Sequence, residues 1–301
     1  MDKALILINA SKDDPFIKEW EKNELATDII FNPVNKFLRG IRRIWIKLGF
    51  PFQQIWYGKI QDQINKYDLI IVHMSSLTMN LCQYINKLNP NAKVIGWYWN
   101  RVYNNTLPSL QKGKYEAWSF DPNDCKKYGF RFNHQYYFKS MMLPTQNAEW
   151  DVYFCGLDSG RGNEIVRMYD YFNSKRITSK FQVVEPQNEQ IPKSIVSERV
   201  NYDEVRLNIA KSNAILEILR KGQSGPTLRT MEAIYFQKKL ITNNLSVKDE
   251  EFYSEDRIFI YTERSMNELE DFLNKEFVPY DDELMDKYDV KQWIKNFTEG
   301  K

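Results

Sequence analysis

The chain has 301 residues, 43% of them hydrophobic and 27% charged, with Lys+Arg 42 against Asp+Glu 40 and a net charge of +2. That length suits two domains of ordinary size or one large one. The even charge balance argues against general nucleic-acid binding, which needs a strongly basic surface. The aromatic share of 15% points to large cores or to a sugar-contacting or interfacial surface.

In chain order, "KALILIN" (3–9) reads as a first buried strand. Its apolar run is too short for the core of a secretory signal. The stretch "FLRGIRRIWIKLGFPF" (37–52) mixes Arg39, Arg42, Arg43 and Lys47 with Ile41, Ile44, Trp45 and Leu48. A basic amphipathic segment of this kind can lie on an anionic membrane or pack on a sheet with its basic face solvated. "DLIIVHM" (68–74) and "KVIGWYW" (93–99) are strands, and "SSLTMNLCQYINKLNP" (75–90) is the helix between them. "EAWSFD" (116–121) adds a strand, followed by the turn "PNDCKKYG".

The pattern breaks around 142–149, where a domain boundary is expected, and a second α/β series follows. Strands are expected at 151–156, 180–185, 214–219, 238–244 and 256–262, with helices at 162–175 and 202–212 and an amphipathic helix at 281–297. This alternation predicts an α/β fold of two Rossmann-like units with parallel sheets, 1–148 and 149–282. A ligand is expected between the carboxyl ends of their strands.

Two glycine-bearing turns carry the chemistry. In "GQSGPTLRTMEA" (222–233), Ser224 or Gly225 can cap a helix whose first residue is Pro226. Such a helix start is an anion site, and Gly222 and Gly225 admit a ligand close to the backbone. Arg229 sits one turn in, where it can pair with a phosphate, and Glu232 follows on the same face, placed for ribose hydroxyls. A capped helix with a surface Arg–Glu pair explains the same residues. "CGLDSGRGNE" (155–164) also joins a strand to a helix, with Gly156, Gly160 and Gly162 around Arg161. Two such turns in one domain point to a shared anionic ligand. Neither GxxxxGK[ST] nor a GxGxxG after the first strand is present, which disfavours P-loop enzymes and nicotinamide or flavin dehydrogenases. Cys82, Cys125 and Cys155 lack CxxC spacing and only His73 and His134 accompany them, so no zinc site is expected. An odd number of thiols fits a reducing compartment.

The order strand, "GLDSGR", helix, then "YDEVRLNIAKSNAILEI" (202–218) and "GQSGPTLRTMEAIYFQKKLITNN" (222–244), resembles the C-terminal half of GT-B glycosyltransferases. The likeness is to bacterial enzymes that build lipopolysaccharide or capsular polysaccharide, and "SFDPNDCKKYGF" (119–130) is similar to the same group. The resemblance implies two facing Rossmann-like domains, a nucleotide-sugar donor on the second and an acceptor on the first. It also implies a helix at 283–300 crossing back to the first domain, and donor phosphates neutralised without a metal. Arg161, Arg229 and the helix begun at Ser224 match those roles, and the donor-binding candidates are Gly160, Arg161, Glu217, Gln223, Ser224, Gly225, Thr227, Leu228, Arg229 and Glu232; Glu217, at the end of its strand, either contacts the donor or is an edge-of-core carboxylate paired with a lysine. Many retaining members have two glutamates eight positions apart; Glu232 suits the second, but Ser224 occupies the first position. The stereochemical outcome therefore stays open.

At the ends of first-domain strands, His73 and Asp121 are the candidates for catalytic base, each with a structural alternative: packing for His73 and an Asp-Pro turn for Asp121. Asn100 and Arg101 are candidates for the acceptor. The expected function is transfer of a hexosyl group, pyranose or furanose, from a nucleoside diphosphate sugar, with UDP the favoured nucleotide. The acceptor is a growing surface polysaccharide or lipid-linked oligosaccharide, and the enzyme is cytoplasmic or peripheral on the membrane through 37–52. The alternative is a non-catalytic nucleotide-binding partner in a transferase complex. A sugar-nucleotide epimerase is disfavoured on the ground that it would need a nicotinamide cofactor.

Overall fold

The computed structural model describes residues 3–10, 14–102, 115–144 and 146–299. Position 145 of the expected junction and position 300 of the expected last helix lie outside them. The chain divides into two compact units. The first runs through Asn133 and resumes at Ile294; the second is His134–Trp293. Residues 134–144 thus group with the second unit rather than the first. The reason is backbone pairing: Tyr137 N–H donates to Tyr288 (3.0 Å) and Val290 N–H to Tyr137 (3.0 Å). The Arg206 guanidinium adds two bonds to the Met141 carbonyl, at 2.9 and 2.6 Å.

In the first unit the order is β1 (Ala4–Ile8), α1 (Pro15–Lys22), β2 (Ala26–Ile29), α2 (Lys36–Lys47), α3 (Ile60–Gln63), β3 (Leu69–His73), α4 (Leu81–Leu88), β4 (Lys93–Tyr98), β5 (Tyr115–Ser119), α5 (Pro122–Tyr128) and β6 (Arg131–Phe132). The strands form one parallel sheet, β2-β1-β3-β4-β5-β6. Both faces are covered, so the strands read as continuous apolar runs, with Leu5, Leu7, Ile70, Val72 and Val94 in the core. The short pair α1 and β2 went unrecognised in the sequence because "ATDI" has no apolar run. Helix α4 starts later than expected, since the Thr78 hydroxyl accepts from Ser75 N–H (2.8 Å) and holds the preceding residues as a turn.

In the second unit the order is β7 (Trp150–Leu157), α6 (Gly162–Ser174), β8 (Ser179–Val184), α7 (Tyr202–Ala210), β9 (Ser212–Glu217), α8 (Leu228–Tyr235), β10 (Lys239–Thr242), β11 (Ile258–Ile260), α9 (Leu269–Asn274) and α10 (Asp282–Tyr288), and α11 (Val290–Asn296) begins in it and ends in the first. Its parallel sheet runs β11-β10-β9-β7-β8. The strand order reverses at β7, so the crevice between β7 and β9 is this sheet's topological switch point, where open α/β sheets bind ligands.

The single helix expected at 281–297 is two. Asp281 caps α10 through Leu284 N–H (2.7 Å), and Asp289, in an extended conformation, accepts from Lys291 N–H (3.0 Å) to start α11. The chain rejoins the first unit past this point: Phe297 packs edge-on against Trp118 (4.9 Å) and Trp97 (6.0 Å), and its carbonyl accepts from Lys93. Phe297→Ala should lower the stability of the first unit by about 3 kcal/mol, the usual loss for a deleted core aromatic. Urea unfolding followed by tryptophan fluorescence measures it.

Candidate functional site

Strands β7 and β9 stay in register only to Tyr153–Ile215, although β7 continues beside β8 to Leu157. Past that point they part, and the backbone carbonyls along the gap need partners. Arginines supply them. Arg161 donates to the carbonyls of Leu157, at the end of β7, and of Ile218, just past β9, so one guanidinium spans the switch point. Arg229, on α8, donates to the Cys155 carbonyl (3.1 Å).

The turn after β7 is built to aim Arg161. Ser159 (φ 46°) and Gly160 (φ 82°) take left-handed conformations, folding the chain back on itself. Asp158 accepts from the N–H groups of Gly160 (3.1 Å), Gln187 (2.7 Å) and Asn188 (2.9 Å), which ties this turn to the loop after β8. Burial alone would raise the Asp158 carboxyl, but these backbone donors hold it below the usual carboxylate range. Two glycines are required by close approach. A Cβ on Gly156 would lie 3.0 Å from the Arg161 guanidinium, and one on Gly162 would lie 2.4 Å from Asn188 Cβ.

The turn after β9 differs from expectation. Helix α8 begins at Leu228 with Thr227 as its cap, not at Pro226 with Ser224 or Gly225. A buried carboxylate sets this position. Glu217, 2% exposed at the end of β9, accepts from the hydroxyls of Thr227, Thr230 (3.1 Å) and Thr242 (2.5 Å). Thr227 in turn accepts from Arg229 N–H (3.0 Å), while Thr230 accepts from Thr227 N–H (3.2 Å), closing a capping box. Glu217 therefore anchors the cap through threonines rather than pairing with a lysine. Ahead of the helix, Gly222 (φ 78°) and Gly225 (φ 76°) turn the chain. Gly225 is clamped by Ser246 and Asn244 from the loop after β10. Gln223 and Ser224 are half-buried within this turn, and Leu228 is half-buried at the helix start.

Arg229 and Glu232 do form the i,i+3 pair, but it is not on the surface: the Glu232 side chain is 0% exposed. The Glu232 carboxylate also accepts from the Tyr202 hydroxyl (2.9 Å), which contacts that of Tyr137 (2.8 Å). Burial raises the Glu232 carboxyl, against the pull of Arg229. Burial also opposes the Arg229 charge, yet Glu232 and its neighbours keep that guanidinium above the ordinary arginine value. The Glu232 carboxylate is thus committed to Arg229 and Tyr202, with no oxygen exposed.

A third cation, Arg220, was missed because it stands just ahead of the quoted turn. Burial pushes Arg161 down to about 10, and the nearby charges of Arg220 and Arg229 add to that shift. Arg161 thus feels both cations, offset in part by the Asp158 and Glu217 carboxylates, and stays charged at neutral pH. Such a cluster is suited to a multiply charged anion.

The first-unit candidates fare differently. His73 ends β3 and stacks on Trp99 (5.4 Å, 25° between planes), and burial pushes its pKa down to about 3. An imidazole that weakly basic is poorly matched to general-base work at neutral pH. Asp121 is fully buried as the cap of α5, accepting from the N–H groups of Asn123 (2.9 Å) and Asp124 (3.3 Å), so its Asp-Pro role is structural. Asn100 is exposed and Arg101 half-buried just past β4, as expected for that strand's carboxyl end. Among the described residues no helix is long and apolar enough to cross a membrane.

No protein-family model matches the chain, and no curated protein matches it in sequence. Solved structures match its fold. The DNA-modifying enzyme β-glucosyltransferase, studied with and without uridine diphosphoglucose, aligns over 98% of both chains at 15% identity and a TM-score of 0.58. AviGT4, a glycosyltransferase of avilamycin A biosynthesis, covers 99% of this chain and 96% of its own at 9% identity and a TM-score of 0.57. A candidate UDP-N-acetylglucosamine 2-epimerase from Listeria monocytogenes covers 100% and 97% at 9% identity and a TM-score of 0.50. The fold is therefore the GT-B architecture, an α/β fold with two parallel sheets.

Two outcomes test the local geometry. Asp158→Asn should destabilise the protein at pH 7 by about 1–3 kcal/mol, since an amide cannot replace a carboxylate accepting from several N–H groups. Because the folded carboxyl lies below its unfolded value, its contribution is present above the unfolded pKa and fades as pH falls through the folded one. The melting temperatures of the two proteins should accordingly converge in acid. Glu217→Ala leaves the buried Thr230 and Thr242 hydroxyls and the half-buried Thr227 cap without their acceptor; a loss of about 3 kcal/mol is expected, with Glu217→Gln retaining part of it.

Proposed function

We propose that the protein is a glycosyltransferase that moves a hexosyl group, pyranose or furanose, from a nucleoside diphosphate sugar, UDP-linked by preference. The acceptor in this reading is a growing bacterial surface polysaccharide or a lipid-linked oligosaccharide, and no metal takes part. One observation carries it: Arg161 and Arg229 both donate to carbonyls along the switch point of the second sheet, and Arg220, two residues past Ile218, adds a cation whose charge reaches Arg161. Breaking a glycosidic bond to a diphosphate puts negative charge on the leaving group, and preoriented cations stabilise that charge in the transition state. The turns that hold these arginines are fixed by buried hydrogen bonds, so little reorganisation accompanies the reaction. The likeness in fold to two glycosyltransferases supports the same reading.

The roles are adjusted to the geometry. Arg220 and Arg161 take the phosphates, with Gly160 leaving room beside them and Gln223, Ser224 and Gly225 shaping the turn. Glu232, expected at the ribose, acts instead as a positioning residue for Arg229, and Glu217 holds the helix cap. Asn100 and Arg101 remain the acceptor candidates on the first unit.

The non-catalytic alternative is favoured by a specific observation: His73 is held as a weak base and Asp121 is spent on a helix cap. A candidate epimerase shares the fold, so epimerisation is kept as a third outcome of the test. Incubation with UDP-sugars separates the three. Slow release of UDP indicates transfer to water or acceptor, a changed sugar on intact UDP indicates epimerisation, and binding without turnover indicates the partner subunit. Arg220→Ala should weaken UDP at least about tenfold in calorimetry, the loss of one charge-assisted bond, with unchanged circular dichroism. Equal affinity in the variant would remove the arginine cluster from the donor site.

A further inference from the structure

Helix α2 is buried the wrong way round for a soluble surface helix. Its inward side consists of Arg42 and Ile46. Arg42 lies 4.4 Å above the Phe31 ring and donates to the Asn32 carbonyl (3.2 Å), which anchors the helix through a cation. On the opposite side, Phe37, Ile41, Ile44 and Leu48 recur at spacings of four, three and four, one continuous stripe along the helix. Phe37 is 76% exposed, Ile44 59% and Leu48 64%.

The following loop extends the stripe. The Trp45 indole donates to the Pro51 carbonyl (2.8 Å) and its ring meets Phe50 edge-on (5.5 Å), pinning the loop against the helix. Phe52, in a left-handed conformation (φ 61°), and Ile55 project into solvent at 67% and 57% exposure. Seven of the twelve large apolar side chains exposed among the described residues fall between Phe37 and Ile55. A patch so concentrated marks an interaction surface.

Charge selects the partner. From Ile29 to Gln61 the sequence holds six cationic side chains and no acidic one, in a chain that is otherwise near balance. Lys36, Arg39, Arg43 and Lys47 are exposed beside the apolar stripe. Two copies of such a surface repel each other, which disfavours self-association. A nucleic acid would leave the Phe and Ile side chains in water. We propose that α2 and the loop through Ile55 form a docking surface for an anionic lipid bilayer, with the apolar stripe entering the acyl boundary and the flanking cations facing lipid phosphates. The surface stands independently of the donor site, and lies wholly within the first unit.

Flotation with vesicles tests it. The protein should bind vesicles of phosphatidylglycerol mixed with phosphatidylcholine, ignore phosphatidylcholine alone, and detach as salt is raised. Phe37→Ser/Ile44→Ser should weaken binding at least about tenfold by removing buried apolar area, and Arg39→Glu/Arg43→Glu should abolish it. Unchanged melting temperature and UDP affinity in both variants would show that folding and the donor site are intact. Three outcomes would overturn the proposal: equal binding to neutral and anionic vesicles or to neither, a dimer in sedimentation that these substitutions dissociate, or displacement from the vesicles by a duplex oligonucleotide that binds more tightly.

Discussion

The parting of β7 and β9 beyond Tyr153–Ile215 is the constraint on which the second unit depends. A parallel sheet satisfies its carbonyls across the strand pair, and where the pair opens those groups lose their partners. Here the opening coincides with the switch point, so the chain must supply donors from the following turns. Arg161 and Arg229 do so from opposite sides. The donors that satisfy the backbone are cations, and their charge is what makes the gap suitable for an anion. Architecture and electrostatics have one origin in these residues.

Around that gap the polar groups form two buried networks with different tasks. Glu217 gathers three threonine hydroxyls and thereby fixes where α8 starts. Glu232 gathers Arg229 and Tyr202 and thereby fixes where Arg229 points. Each carboxylate is removed from water, which is costly unless its partners are complete. Both sets are filled from within the protein, and both side chains are buried. In the first unit the corresponding strand ends are less specialised: the carboxylate at 121 starts a helix, and the imidazole at 73 is packed on a tryptophan. On the function proposed above, charge stabilisation falls to the second unit.

The surface of α2 fits that division of labour. On the proposed reading the acceptor is confined to a membrane, and an apolar stripe between cations is the kind of surface that holds a protein at that boundary without a spanning helix. The cation that would be wasted in solvent, Arg42, is the one turned inward to anchor the helix.

How much was legible follows from the range of the interactions involved. The parallel strands announced themselves as continuous apolar runs, because burial on both faces is a local demand on composition. The two arginine-bearing turns were visible because glycine is needed where the backbone goes left-handed or a side chain passes within contact distance, as at Gly160 and Gly162. The start of α8 was not: Pro226 is a good local signal for a first helical residue, but a carboxylate ten positions upstream decides between Pro226 and Leu228. Likewise "MEA" could not disclose that Glu232 meets Tyr202 rather than water, and "DLIIVHM" could not disclose that its histidine is stacked and neutral. The grouping of residues 134–144 with the second unit rests on pairing between segments about 150 residues apart, Lys139 N–H to Asp289 among them, for which a linear pattern carries no sign. Composition and spacing determined the strands, the turns and the basic stripe; which charges are spent within the protein and which remain for a ligand was decided only when distant segments came into contact.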